Sequence, residues 1–160
     1  MGTVTKKKIN NERQFGGVPF GNMTILHFPL DVAAGGIWTD SDLATAVQVD
    51  DVLRLGILTA GFQMWDYFNN ISDAFTSGST GKVGFAYVDG VDVTAVPQDD
   101  DYFCAATTLA AQAVLKKTNV AVRPVTLPKD AYLIMTVAGA AFDAVGKLDI
   151  GVIGVMSGKP

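Results

Sequence analysis

Apolar and polar residues alternate along most of this chain with a period of two, the spacing of a strand that buries one face. Residues 131–156 show it best. Two β-rich apolar runs are joined there by a small-residue stretch, and in the second run Lys147, Asp149, Gly151, Ile153 and Val155 oppose Leu148, Ile150, Val152, Gly154 and Met156. The pattern predicts the last two strands of a two-sheet sandwich, paired as a closing hairpin. Upstream, residues 22–30 place Met23, Ile25, His27 and Pro29 on one face and Thr24, Leu26 and Phe28 on the other. Pro29 has no N–H to give to a ladder, which assigns that strand to an edge or places the proline at its end.

Further strands are expected over residues 51–58, 62–68, 82–89 and 121–127, the last an edge strand because of Pro124. The turn at 59–61 makes 51–58 and 62–68 neighbours, and Asp89-Gly90 is a tight-turn pair. One or two short helical segments are expected: residues 39–46, where Asp and Ser can cap a turn, and the alanine-rich residues 107–115, which read as a short helix or an irregular covering segment. Residues 1–22 carry no period. There Phe15, Val18 and Phe20 stand among glycines and a proline, as in an extended arm that orders by contact. The expected architecture is therefore all-β: an antiparallel β-sandwich or jelly roll of about seven or eight strands over 23–160, preceded by an arm over 1–22.

Composition sharpens this reading. Of 16 acidic residues only Glu12 is glutamate, so the acid is aspartate, a turn and loop residue, which together with 17 glycines favours strands joined by many turns. A hydrophobic share of 49% in 160 residues is high, yet no run approaches the ~18 apolar residues of a membrane helix. The excess is expected in a core or a subunit contact, with no membrane partner. The single cysteine, Cys104, excludes an intrachain disulfide and a cysteine zinc cluster, and reads as a small buried thiol. Lys6, Lys7, Lys8 and Arg13 oppose only Glu12 in the first thirteen residues, giving a basic leading stretch on an acidic body. With polar residues after the lysines and no apolar stretch there, a secretory signal is not expected.

Candidate chemistry is sparse. His27, the one histidine, sits mid-strand and reads as a structural or interface residue, not a general base. Asp99-Asp100-Asp101 and Asp89-Gly90-Val91-Asp92 offer carboxylate oxygens without the ligand spacing of a calcium loop, so both read as solvated acidic loops. Residues 78–82 lack the spacing of a phosphate loop. Trp65, Tyr67 and Phe68, at strand spacing, read as core or subunit contact and form a candidate oligomer or partner surface, and the alternative for them is a sugar-stacking platform. No catalytic residue, metal site or cofactor is expected, and an acidic body argues against nucleic acid as a partner.

The order of these elements resembles small structural proteins of tailed bacteriophages. The resemblance is carried by D-V-L-R-L-G-I-L-T-A-G-F, K-V-G-F-A-Y-V-D-G, D-D-D-Y-F and the run over 131–153, and it covers roughly residues 51–156. The chain looks like the β-sandwich or jelly-roll cement (decoration) proteins on the outside of phage capsids. That resemblance implies a non-enzymatic virion protein, made in the host cytoplasm, that binds the major capsid protein and itself, as a homodimer or homotrimer. It also implies an arm reaching along the shell, attached by Lys6, Lys7, Lys8 and Arg13 and anchored by Phe15, Val18 and Phe20. The alternatives are a phage neck or tail subunit and a carbohydrate-binding jelly roll.

Overall fold

A computed structural model describes residues 2–6, 23–119 and 123–157. Those residues form ten strands: β1 (Thr3–Thr5), β2 (Met23–Val32), β3 (Val52–Leu58), β4 (Phe62–Asp73), β5 (Thr80–Tyr87), β6 (Asp99–Thr108), β7 (Ala113–Lys116), β8 (Val125–Thr126), β9 (Ala131–Ala138) and β10 (Gly146–Met156). Sheet I has the order β1-β3-β9-β5-β6, and sheet II the order β2-β10-β4-β7 with β8 paired to β4. Without the short β1 and β8, the eight remaining strands are wound as in a jelly roll, each sheet collecting strands distant in sequence.

The all-β architecture agrees with the sequence, and three local expectations are corrected. No helix occurs among the described residues: 39–46 is an irregular strap, and 107–115 is the end of β6, a turn and β7. Pairing decides the second case, because Ala113–Lys116 completes a ladder against residues 68–71 of β4, which outweighs the helical preference of alanine. Residues 131–156 are not a hairpin, since β9 pairs with β3 and β5 while β10 pairs with β2 and β4. The stretch between them is an arch from sheet to sheet, and its Phe142 is buried against Phe75 with ring centroids 4.8 Å apart. β3 and β4 are likewise in opposite sheets despite their three-residue connection.

The core lies between the sheets. Leu26, Phe28 and Leu30 from β2, Leu148, Ile150 and Val152 from β10, and Leu133, Met135 and Val137 from β9 all point into it. Their alternation in sequence is the alternation of burial in space. β2 is an edge strand, as Pro29 requires. The strap over 33–51 closes one end of the sandwich: Trp38 and Val47 are buried, and the Val47 amide donates to the Gly36 carbonyl.

One polar residue is misplaced in this core. Asn69 on β4 is buried with neither end of its amide in a hydrogen bond, and the Tyr67 hydroxyl is buried without a partner as well. The amide is near enough to favour the ionised phenol, but burial outweighs it and holds the Tyr67 pKa far above its ordinary value. An unmet buried amide costs about 1–3 kcal/mol. Asn69→Leu, of nearly equal volume, is expected to stabilise the protein by about 1–2 kcal/mol, read as a raised denaturation midpoint. A lowered midpoint would show that the amide is satisfied in solution.

Candidate partner-binding surfaces

The basic leading stretch is fixed to the body at its start. Thr3–Thr5 runs parallel to β3, pairing with residues 52–54. The Gly2 amide donates to Asp51 Oδ1 at 3.0 Å and the Thr5 amide to Asp42 Oδ1 at 2.9 Å, while Val4 is buried. Lys6 is only 3% exposed, with its ammonium 3.7 Å from Asp40 Oδ2. Within the expected arm over 1–22, residues 2–6 thus belong to the sandwich, and the charge of Lys6 is turned to the exposed Asp40 of the strap. Lys7, Lys8, Arg13, Phe15, Val18 and Phe20 lie outside the described residues.

The aromatic group of β4 is split by an irregularity. Against β10, Asp66 pairs with Ile153 and Met64 with Gly154, so Trp65 is an extra residue in the ladder, a β-bulge. The bulge reverses the alternation beyond it. Phe62 and Met64 point inward before it, and Tyr67, Asn69 and Ile71 point inward after it. Tyr67 is therefore corrected from surface to core, where its ring stacks on Phe103 at 5.4 Å. Trp65 stays exposed, its indole N–H donating to Gln63 Oε1 at 3.0 Å. Phe68 is half-buried, lying across Gly151 of β10, where an added Cβ would overlap its ring.

The same register brings further apolar residues beside Trp65 and Phe68. Ile25 pairs with Ile153 and Met23 with Val155, so the outward sides of β2 and β10 continue the patch from β4. On the adjoining part of this face, His27 Nε2 and Asp149 Oδ1 are 2.7 Å apart and both exposed, an interstrand pair on an open sheet.

The acidic triplet begins β6. The carboxylate oxygens of Asp99, Asp100 and Asp101 lie within 4.8 Å of one another. Asp100 forms an ion pair with Lys82 of β5, and a hydrogen bond to the Asp99 carboxylate holds the Asp101 carboxyl above its usual range. Near its base is a cavity of about 250 Å³ lined by Phe85, residues 95–99, Tyr102, Arg123 and Val125. The Tyr102 hydroxyl spans it to donate to the Arg123 carbonyl at 2.8 Å. Cys104, one turn of the ladder away, is fully buried, and burial pushes its thiol pKa up, so it stays protonated.

No protein-family model matches the chain, and no curated sequence does. Solved structures match in fold. A chain from the capsid of Ralstonia phage GP4 is 18% identical, with a TM-score of 0.66 over 98% of this chain and 99% of that one. A chain from the capsid asymmetric unit of cyanophage Pam1 is 13% identical, with a TM-score of 0.58 over 88% and 89%. A chain from the acid-stable capsid of Helicobacter pylori bacteriophage KHP30 is 12% identical, with a TM-score of 0.54 over 88% and 92%. This two-sheet fold is one that chains of phage capsids share along nearly their whole length.

Proposed function

We propose that this protein is a virion structural protein, a cement or decoration protein that binds the outside of a phage capsid and stabilises contacts between major capsid protein subunits. The observation that supports this most is the near-complete, two-way coverage of the fold match to a chain of a phage capsid. The protein acts without chemistry of its own. It is made in the host cytoplasm, self-associates and ends on the shell exterior.

Attachment falls to Lys7, Lys8 and Arg13, with Phe15, Val18 and Phe20 as apolar anchors, because Lys6 is engaged with Asp40. Each contact need only be modest, since a closed lattice multiplies weak contacts through effective concentration. The test is cosedimentation with purified shells of the major capsid protein, followed by imaging of the occupied sites. Saturable binding to the exterior is expected, weakening with added salt and in the triple variant Lys7→Gln, Lys8→Gln, Arg13→Gln. Shells that pellet without the protein at every concentration would overturn the proposal.

A further inference from the structure

We propose that the outer face of sheet II is the surface through which copies of this chain associate. This names the contact behind the self-association included in the proposed function and rests on that reading. Met23 is 68% exposed, Ile25 56%, Trp65 48% and Val114 67%. The strand registers make them one patch. Ile25 meets Ile153 and Met23 meets Val155 across β2 and β10. Ile153 meets Asp66, beside the Trp65 bulge, and Val114 on β7 meets Asn70, two residues from Phe68. Among the described residues, the other exposed large apolar side chains, Leu43, Val49, Val88, Val91 and Val145, lie outside the strands.

The opposite face of the sandwich is finished differently. On sheet I, Arg54 lies over the Tyr132 ring at 4.6 Å and Lys82 pairs with Asp100, so charged groups cover the outward side. Among the described residues, the exposed large apolar side chains that lie within strands all belong to sheet II, whereas Ile57 and Ile134 of sheet I are only 6% and 5% exposed.

Two observations select a second copy as the occupant. The first is area. The four exposed side chains offer on the order of 500 Å² before the half-buried Phe68, Ile153 and Val155 are added, a patch at the upper end for a lone monomer. A standard interface takes about 800 Å² from each partner, which this patch and its rim can supply. The second is charge. The body is acidic, whereas this face carries both signs, with Asp31, Asp66, Asp149 and Asp73, the cross-strand partner of Lys147, against Lys116 and Lys147. Two such faces can set the lysines of one copy against the aspartates of the other, and an apolar patch is its own complement.

The experiment is mass measurement of the full chain in solution across concentration, by light scattering and sedimentation equilibrium. The wild type is expected at a multiple of 16.9 kDa. Ile25→Asp is expected at the monomer mass with unchanged circular dichroism, since its side chain already faces water. Ile25→Ser, which adds no charge, is expected to raise the dissociation constant at least about tenfold. Val91→Asp, exposed but off the face, is expected to leave the mass unchanged. A wild type that stays monomeric at high micromolar concentration overturns the inference, as does an oligomer that Ile25→Asp leaves intact. Loss of shell binding by Ile25→Asp with a monomeric wild type would give the face to the shell and also overturn it. An oligomer that Ile25→Asp dissociates, but that never binds shells, would uphold this inference while removing the capsid role.

Discussion

Replacing Phe103 with alanine is expected to cost about 3–5 kcal/mol, the range for deleting a buried phenylalanine. Phe103 of β6 is fully buried. Its ring stacks on Tyr67 of sheet II and meets Tyr102 edge-on at 4.9 Å, and Tyr102 in turn meets Phe85 of β5 at 5.4 Å. These contacts join the two sheets, so the void left by alanine opens between layers rather than within one. Collapse is hindered because the Phe103 carbonyl accepts the Thr118 amide at 3.0 Å, fixing the backbone from the far side. With a total stability of about 5–15 kcal/mol for a domain, the variant keeps little margin at 25 °C. Chemical denaturation at fixed protein concentration measures the loss. A value below about 1.5 kcal/mol would mean that the neighbouring aromatics close the gap.

That cluster also marks where sequence patterning stops being informative. A period of two identifies the buried face of a strand but not its neighbour. It therefore located β2, β3, β5, β9 and β10 within a residue or two, and it paired β9 with β10 and β3 with β4 wrongly. The arch over 139–145 looks like a turn because its residues are small; the buried Phe142 at its centre is what a crossing between layers requires. Where a strand departs from the period, the face assignment fails too. Trp65 adds one residue to β4 and reverses everything after it, which moved Tyr67 inward. Tyr102, Phe103 and Cys104 are buried in succession because the β5–β6 register is broken twice there. The apolar face of sheet II was half visible. Met23 with Ile25, and Ile153 with Val155, each share a side in the sequence, but only the β2–β10 ladder shows that they adjoin and face water. The placement of Lys6 carried no signal at all, since a lysine among lysines gives no hint of burial against Asp40.

Gly84→Val is expected to be as damaging as any single change, for a reason that lies in the acidic triplet rather than in the core. β6 pairs with β5 through Val83–Cys104 and then Phe85–Asp99, so residues 100–103 form extra length opposite Gly84. The chain stores that length by folding directly over the glycine. A Cβ added to Gly84 would overlap the Asp99 carbonyl oxygen and the Asp100 carbonyl carbon and stand 2.8 Å from the Asp100 Cα. All three are backbone atoms, so no rotamer change relieves the overlap. To make room, β6 must lift away from β5, which separates Asp100 from Lys82 and withdraws Phe85 and Tyr102 from their edge contact. Overpacking alone costs about 1–3 kcal/mol. Displacing a paired strand adds to this, and a loss of about 4 kcal/mol or more is expected, at the level that signals backbone disruption. Gly84→Ala is expected to lose about half as much, with the Asp99–Asp101 backbone showing faster amide exchange than in the wild type. Equal stability of Gly84→Ala and wild type would mean that β6 does not cross the glycine in solution, and the triplet would then be an ordinary open loop.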